Sequence, residues 1–216
     1  DEYGLDHKWP RPAAKDLLMK RNPVLSDGTT GAIVGIGEKV VDAAIRIAGS
    51  LDKSYLAIQG PPGTGKTYTG ARMIIELCQA GKKIGITAIS HKVIRNLIDK
   101  VIELAKEQNV KILFIHKVSE KSDNLPDEVT EVTNSAKALE AINDGCVVGG
   151  TAWLWADKKA QETLDYLFVD EAGQMSLSHV LAASQAAHNL ILLGDPQQLE
   201  QPQKGAHPEG SDVAAL

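Results

Sequence analysis

The chain has 216 residues, of which 43% are hydrophobic and 24% charged, and its formal net charge at pH 7 is −5. That length buries a sizeable core in one large domain, or in one domain with a small appendage, and no run of about 18 apolar residues exists to span a membrane. The acidic balance excludes a surface that is a nucleic-acid-binding field throughout, while leaving room for a local groove. Cys78 and Cys146 are far apart and lack zinc-type spacing, so they read as reduced, packed thiols. The start carries no signal-peptide core, and a cytoplasmic location is expected.

In chain order, residues 1–36 form a lead-in segment. Pro10, Pro12, Pro23 and a Gly-rich stretch over 28–37 break it into a short helix and a loop, and its bases Lys8, Arg11, Lys15, Lys20 and Arg21 suit a solvated face as well as a binding one. A helix is expected over 38–45. Tyr55–Gln59 then reads as a short apolar strand, and 67–79 has apolar residues at helical spacing up to the stop signal Ala80-Gly81. Further strands are expected at 84–89, 111–115, 146–151, 166–170 and 190–194, with helices at 92–108, 135–143 and 176–187. Most of these strands are apolar without alternation, which suits a parallel sheet buried on both faces. From 117 to 134 the chain turns polar and is expected to be a surface excursion, and another loop follows Pro196. Residues 37–216 thus read as one α/β layered domain with right-handed crossovers, whose ligands bind at the carboxyl ends of the strands.

Gly60-Pro61-Pro62-Gly63-Thr64-Gly65-Lys66-Thr67 fits the phosphate-cradling pattern G-x-x-x-x-G-K-[ST] at every required position. Chance matches in a chain this long are on the order of 1%. Strand, loop and helix are the setting that the pattern needs. There the loop N–H groups and the helix N-terminus face the phosphates, Lys66 neutralises β/γ charge, and the Thr67 hydroxyl can ligate Mg²⁺.

Two later strands also end in polar turns. Asp170 and Glu171 close the run Phe168-Val169-Asp170-Glu171-Ala172-Gly173-Gln174. A hydrolase needs such a pair, one carboxylate holding Mg²⁺ and the other polarising the attacking water, whereas an acidic helix start is the structural alternative. Leu190 to Leu199 leads into Gly194-Asp195-Pro196-Gln197-Gln198, where the Gln198 amide can hydrogen-bond a γ-phosphate oxygen; a turn capped by Asp-Pro is the alternative. Trp153 and Trp155 could stack bases, but core packing is the expectation for both.

In this order and spacing GPPGTGKT, DEAGQ and GDPQQL resemble motifs I, II and III of superfamily 1 helicases, in the branch containing the nonsense-mediated-decay helicase and the replication nuclease-helicase. Gln59 before the loop fits that branch. Residues 87–91 resemble motif Ia and 148–152 motif Ic, so the likeness covers about 38–216; bacterial proteins that join a RecB-like nuclease to such a helicase are closer still. The resemblance implies a three-layer RecA-like P-loop NTPase domain with a mainly parallel sheet, using ATP and Mg²⁺. It implies Gln59, Gly60, Pro61, Pro62, Gly63, Thr64, Gly65, Lys66, Thr67 and Gln174 at the nucleotide, Thr67 and Asp170 at the metal, and Glu171 as catalytic base. Gln174 and Gln198 would couple γ-phosphate state to movement. Ser90, His91 and Thr151 would touch the phosphates of a single strand, DNA in preference to RNA. Ser90-His91 is equally a good helix start, and Thr151 a plain strand residue.

Two departures from that family stand out. No Gln precedes Gln59 to read adenine, so base selectivity is expected to be loose. The last arginine is Arg95, so a second RecA-like half that supplies arginine fingers is expected as a partner from outside these residues. The rival reading is a nucleotide-dependent regulatory switch without translocation. A GTPase lacks its N-K-x-D guanine reader here, and a small-molecule kinase fits the Asp-Glu pair less well.

Overall fold

The computed structural model describes residues 12–30 and 33–195. Helix α1 (Pro12–Leu18) and α2 (Val40–Ser50) precede strand β1 (Tyr55–Gln59). Then come α3 (Lys66–Gln79), β2 (Ile84–Thr87), α4 (His91–Glu107), β3 (Phe114–Lys117), β4 (Val129–Val132) and α5 (Ser135–Glu140). The chain continues through β5 (Val147–Gly149), α6 (Ala152–Trp155), β6 (Leu164–Val169), α7 (Leu177–Ala183) and β7 (Ala187–Gly194).

The seven strands form one sheet in the order β1-β7-β6-β2-β5-β3-β4, and every pairing is parallel. Alternate residues of one strand feed two separate cores. Tyr166, Phe168, Ile191 and Leu193 pack with α2, α3 and α4 on one face, whereas Leu167, Val169, Leu190 and Leu192 pack with α1, α5, α6 and α7 on the other. This double burial explains the unalternating apolar runs and gives the three-layer α/β architecture expected of a RecA-like domain.

One strand escaped the sequence reading. Residues 129–132 lie within the stretch expected to be a surface excursion, yet they pair with β3 in register from Phe114↔Val129 to Lys117↔Val132. As an edge strand, β4 buries Val129 and Glu131 and exposes Thr130, so half of the usual apolar signal is missing. Strand β3 itself lies further on than expected, because its last two residues are His116 and Lys117. The helix expected over 176–187 ends at Ala183; a 3₁₀ turn follows, and Ala187 already belongs to β7. Helix α2 runs on to Ser50.

Helix α1 is pinned to the sheet by polar groups as well as by Ala13 and Leu17. The Ser54 hydroxyl donates to the buried Asp16 carboxylate at 2.9 Å and accepts the Val24 N–H at 3.1 Å. The Ser54 N–H donates to Asn189 Oδ1 at 3.2 Å, and the Asn189 amide donates to the Asp165 carbonyl at 3.2 Å. Among the described residues no helix is long and apolar enough to cross a membrane. Ser54→Ala removes the donor to Asp16 while leaving the carboxylate buried, and should destabilise the fold by about 1–3 kcal/mol in urea unfolding.

Candidate nucleotide-binding site

The phosphate-loop segment leaves the carboxyl end of β1 and enters α3. Its first residue is tied to the neighbouring strand, with the Gly60 N–H donating to the Gly194 carbonyl at 3.2 Å. Gly63 and Gly65 have φ of 81° and 84°, in the left-handed region where a side chain is strained, so glycine is needed to turn the chain into the helix. The Thr64 hydroxyl closes the turn on the Pro61 carbonyl at 2.8 Å. Lys66 folds back over its own loop, its ammonium donating to the Gly60 carbonyl and, at 3.0 Å, to the Pro61 carbonyl. Thr67 lies in the first turn of α3, half-buried. The 14-residue α3 gives this loop a substantial positive helix end.

Asp170 and Glu171 follow β6, two strands away. Asp170 is buried, its N–H donates to the Thr87 carbonyl at 2.9 Å, and its carboxylate accepts the Glu171 N–H at 3.0 Å. Burial pushes its carboxyl up to about 6; the Glu171 N–H and the nearby Lys66 charge pull the other way, and the Glu171 charge adds to the rise. Glu171 adopts φ 50°, ψ 44°, a left-handed conformation that costs a glutamate about 1–3 kcal/mol. A 3₁₀ turn, Ala172–Gln174, follows in place of an α-helix start. The Glu171 Oε2 is buried without a hydrogen-bond partner among the described residues.

The third strand end meets the second directly. A Cβ on Gly173 would collide with the Asp195 carbonyl oxygen, so the DEAGQ turn and the end of β7 touch through backbone. Asp195 is itself buried. Gln59 ends β1 opposite Gly194. Gln198 lies outside the described residues. A lysine, the Thr67 hydroxyl at the start of α3 and a buried carboxyl raised above its usual range stand at neighbouring strand ends, a donor set that fits a magnesium-bound triphosphate. Among the described residues no cluster of three or more His, Cys, Asp or Glu could hold a metal on its own.

The remaining expected residues sit on the next strands. Ser90 caps α4, its hydroxyl accepting the Val93 N–H at 3.3 Å, and His91 begins that helix. Thr151 follows β5 and leads into α6 without a side-chain cap bond. The ends of β2 and β5 are neighbours, with the Gly150 N–H donating to the Ile86 carbonyl at 3.0 Å.

The expectation that both tryptophans pack in the core holds for one. Trp155 is fully buried and its indole N–H donates to the Ile86 and Gly150 carbonyls at 3.2 and 3.1 Å. Trp153 is 78% exposed, its ring 6.0 Å from that of His179. Two residues apart on a helix, the rings point to opposite sides. Nothing in the sequence hinted at what surrounds His116: it is buried in β3, against His91. A strand read as ending at 115 left it outside.

A family profile described as an AAA domain matches residues 43–203. The chain belongs to this AAA domain family. A similar curated protein is the DNA replication ATP-dependent helicase/nuclease DNA2 of Saccharomyces cerevisiae, 29% identical over 153 residues that cover 68% of this chain and 10% of that protein. The Homo sapiens protein of the same name is 27% identical over 154 residues, covering 69% of this chain and 14% of its own length. The chain therefore spans a small part of these relatives. Among solved structures, a nuclease-deletion mutant of the Type ISP restriction-modification enzyme LlaGI, in complex with a DNA substrate mimic, is similar with a TM-score of 0.54 and 16% identity. That match covers 75% of this chain and 18% of the other, and it supports the fold of this AAA domain.

Gly173→Ala has to part the two strand ends, because its new methyl meets main chain that has no rotamer to change. A loss of about 1–3 kcal/mol in denaturant unfolding is expected.

Proposed function

We propose that this AAA domain is the first motor domain of an ATP-dependent helicase that moves on single strands, DNA in preference to RNA. One observation carries the reading: the P-loop, the Asp170–Glu171 pair and Asp195 leave the carboxyl ends of three adjacent parallel strands, β1, β6 and β7. The printed names of the relatives, ATP-dependent helicase/nuclease, support it. Lys66 exchanges its two carbonyl partners for phosphate oxygens when nucleotide arrives, and the loop N–H groups orient the phosphates. Thr67 and Asp170 would hold Mg²⁺, which when bound neutralises phosphate charge. Glu171 accepts the proton of the attacking water; its carboxylate reaches an enclosed position, and the left-handed backbone fixes where it points. Gln174 and Gln198 carry the γ-phosphate state to the neighbouring strand ends. Ser90 and His91, one sheet position beyond β6, and Thr151, two positions beyond it, meet the phosphates of the strand.

A second RecA-like domain of the parent chain supplies the arginine side of the site. Each of the four described arginines already has a carboxylate partner: Arg21 with Asp16, Arg46 with Glu38, Arg72 with Glu76 and Arg95 with Asp99. An arginine finger is worth about 10³–10⁵ in rate for related phosphoryl transfers. These 216 residues alone should therefore bind Mg-ATP or ADP, hydrolyse ATP slowly and show no stimulation by single-stranded DNA; strong stimulation in a phosphate-release assay would contradict this.

In the full-length parent, Lys66→Ala should abolish measurable nucleotide binding. Glu171→Gln should keep binding and lower the ATPase rate by about 10²–10⁴. Unchanged ATPase and strand displacement in both variants would sink the site assignment. ATP hydrolysis without strand displacement in the unmodified parent would favour a nucleotide-dependent switch.

A further inference from the structure

Behind His91 lies a buried chain of polar groups that crosses from α4 through β3 to the edge strand β4. His91 Nδ1 is 3.3 Å from His116 Nε2, and the two rings are tilted by 59°. On its other side His116 Nδ1 is 3.7 Å from Glu131 Oε1 and has no hydrogen-bond partner among the described residues. Glu131 is buried too; its carboxylate accepts the Ser122 N–H at 2.6 Å, and the Arg95 guanidinium stands 4.0 Å away. These groups line a cleft of about 290 Å³.

Only one proton fits between the two imidazoles. Were it donated by His116 Nε2, the bare Nδ1 lone pair of His116 would face the Glu131 carboxylate, two acceptors opposed in a buried place. With the His116 proton on Nδ1, the N–H dipole points at the carboxylate and Nε2 accepts from His91. Glu131 thus selects the arrangement in which His91 carries its proton on Nδ1. The His91 Nε2 on the far side of the ring is then a bare acceptor while the ring is neutral, and it repels a phosphate oxygen. It becomes a charged donor only when the ring takes up a second proton.

We propose that Glu131 and His116 are positioning residues that make single-strand binding at His91 depend on the uptake of one proton. This rests on the assignment of His91 to the nucleic-acid contact. The charged groups facing the pair are Arg95 and Asp99 on α4, Lys117 on β3, Glu131 on β4 and, along the cleft, Lys92 and Glu120. Burial and the adjacent His91 push His116 down to about 4, against the pull of Glu131, so His116 stays neutral at physiological pH. Burial and Lys117 hold His91 below its usual range as well, with Glu131 opposing them. The free protein therefore presents a neutral His91, and the strand's negative charge draws the proton on. Binding that takes up one proton tightens as pH falls, by at most about tenfold per pH unit.

The test measures affinity of the full-length parent for a labelled oligo-dT strand at constant ionic strength, from about pH 8 to about pH 6. The unmodified protein should tighten about three- to tenfold more than Glu131→Gln across this range. The new amide can donate to His116 Nδ1 and reverse the shared proton, so Glu131→Gln should bind at least as tightly as the unmodified protein at the high-pH end. Parallel profiles, with His91→Ala weaker at every pH, overturn the proton coupling and leave the contact standing; His91→Ala binding like the unmodified protein overturns both. Nitrogen NMR of the imidazoles gives an independent reading that needs no variant: His91 protonated on Nδ1 is expected, and protonation on Nε2 alone overturns the proposal.

Discussion

Parallel strands cannot be joined by tight turns, and all seven in this sheet end at the same edge. That geometric rule gathers residues that lie from tens to more than a hundred positions apart in the chain. Gln59 stands beside Gly194, Val169 beside Leu192, and Thr87 beside Val169. The strand order, β1-β7-β6 and then β2-β5, divides the edge into a half that carries Lys66, Asp170 and Glu171 and a half that carries Ser90, His91 and Thr151. A sheet of mixed direction would send half of these loops to the opposite side of the molecule.

The first of these halves is held in arrangements that are locally unfavourable. Glu171 is left-handed, Asp170 is a buried carboxyl, and Gly173 lies against main chain. Such features persist only where the surroundings over-determine them. Here the surroundings are β6 and β7, whose residues from Tyr166 to Val169 and from Leu190 to Leu193 are buried throughout. Rigid strands fix the positions from which the loops start, and a few backbone contacts set the distances between them.

How much of this was legible follows from how each feature is encoded. The phosphate loop was readable because its backbone conformation demands glycines at fixed spacing, with a lysine at the helix start. Central strands were readable because both their faces are apolar. The edge strand β4 was not, since Thr130 is exposed and its buried partner is a glutamate. Losing β4 and shifting β3 also hid His116 and Glu131, whose meaning lies wholly in their pairing across strands. The contact of Gly173 with Asp195 is tertiary and left no local trace. Trp153 and Trp155 became distinguishable only once α6 put them on opposite sides.

The indole of Trp155 places one N–H between two carbonyls, Ile86 near the end of β2 and Gly150 just past the end of β5. Those strand ends are the mounts from which Ser90 and Thr151 project. Pulling them apart would leave a buried indole proton without a partner, which costs free energy and resists their separation. Their separation is thereby constrained, and the strand contacts proposed at Ser90 and Thr151 would inherit that spacing.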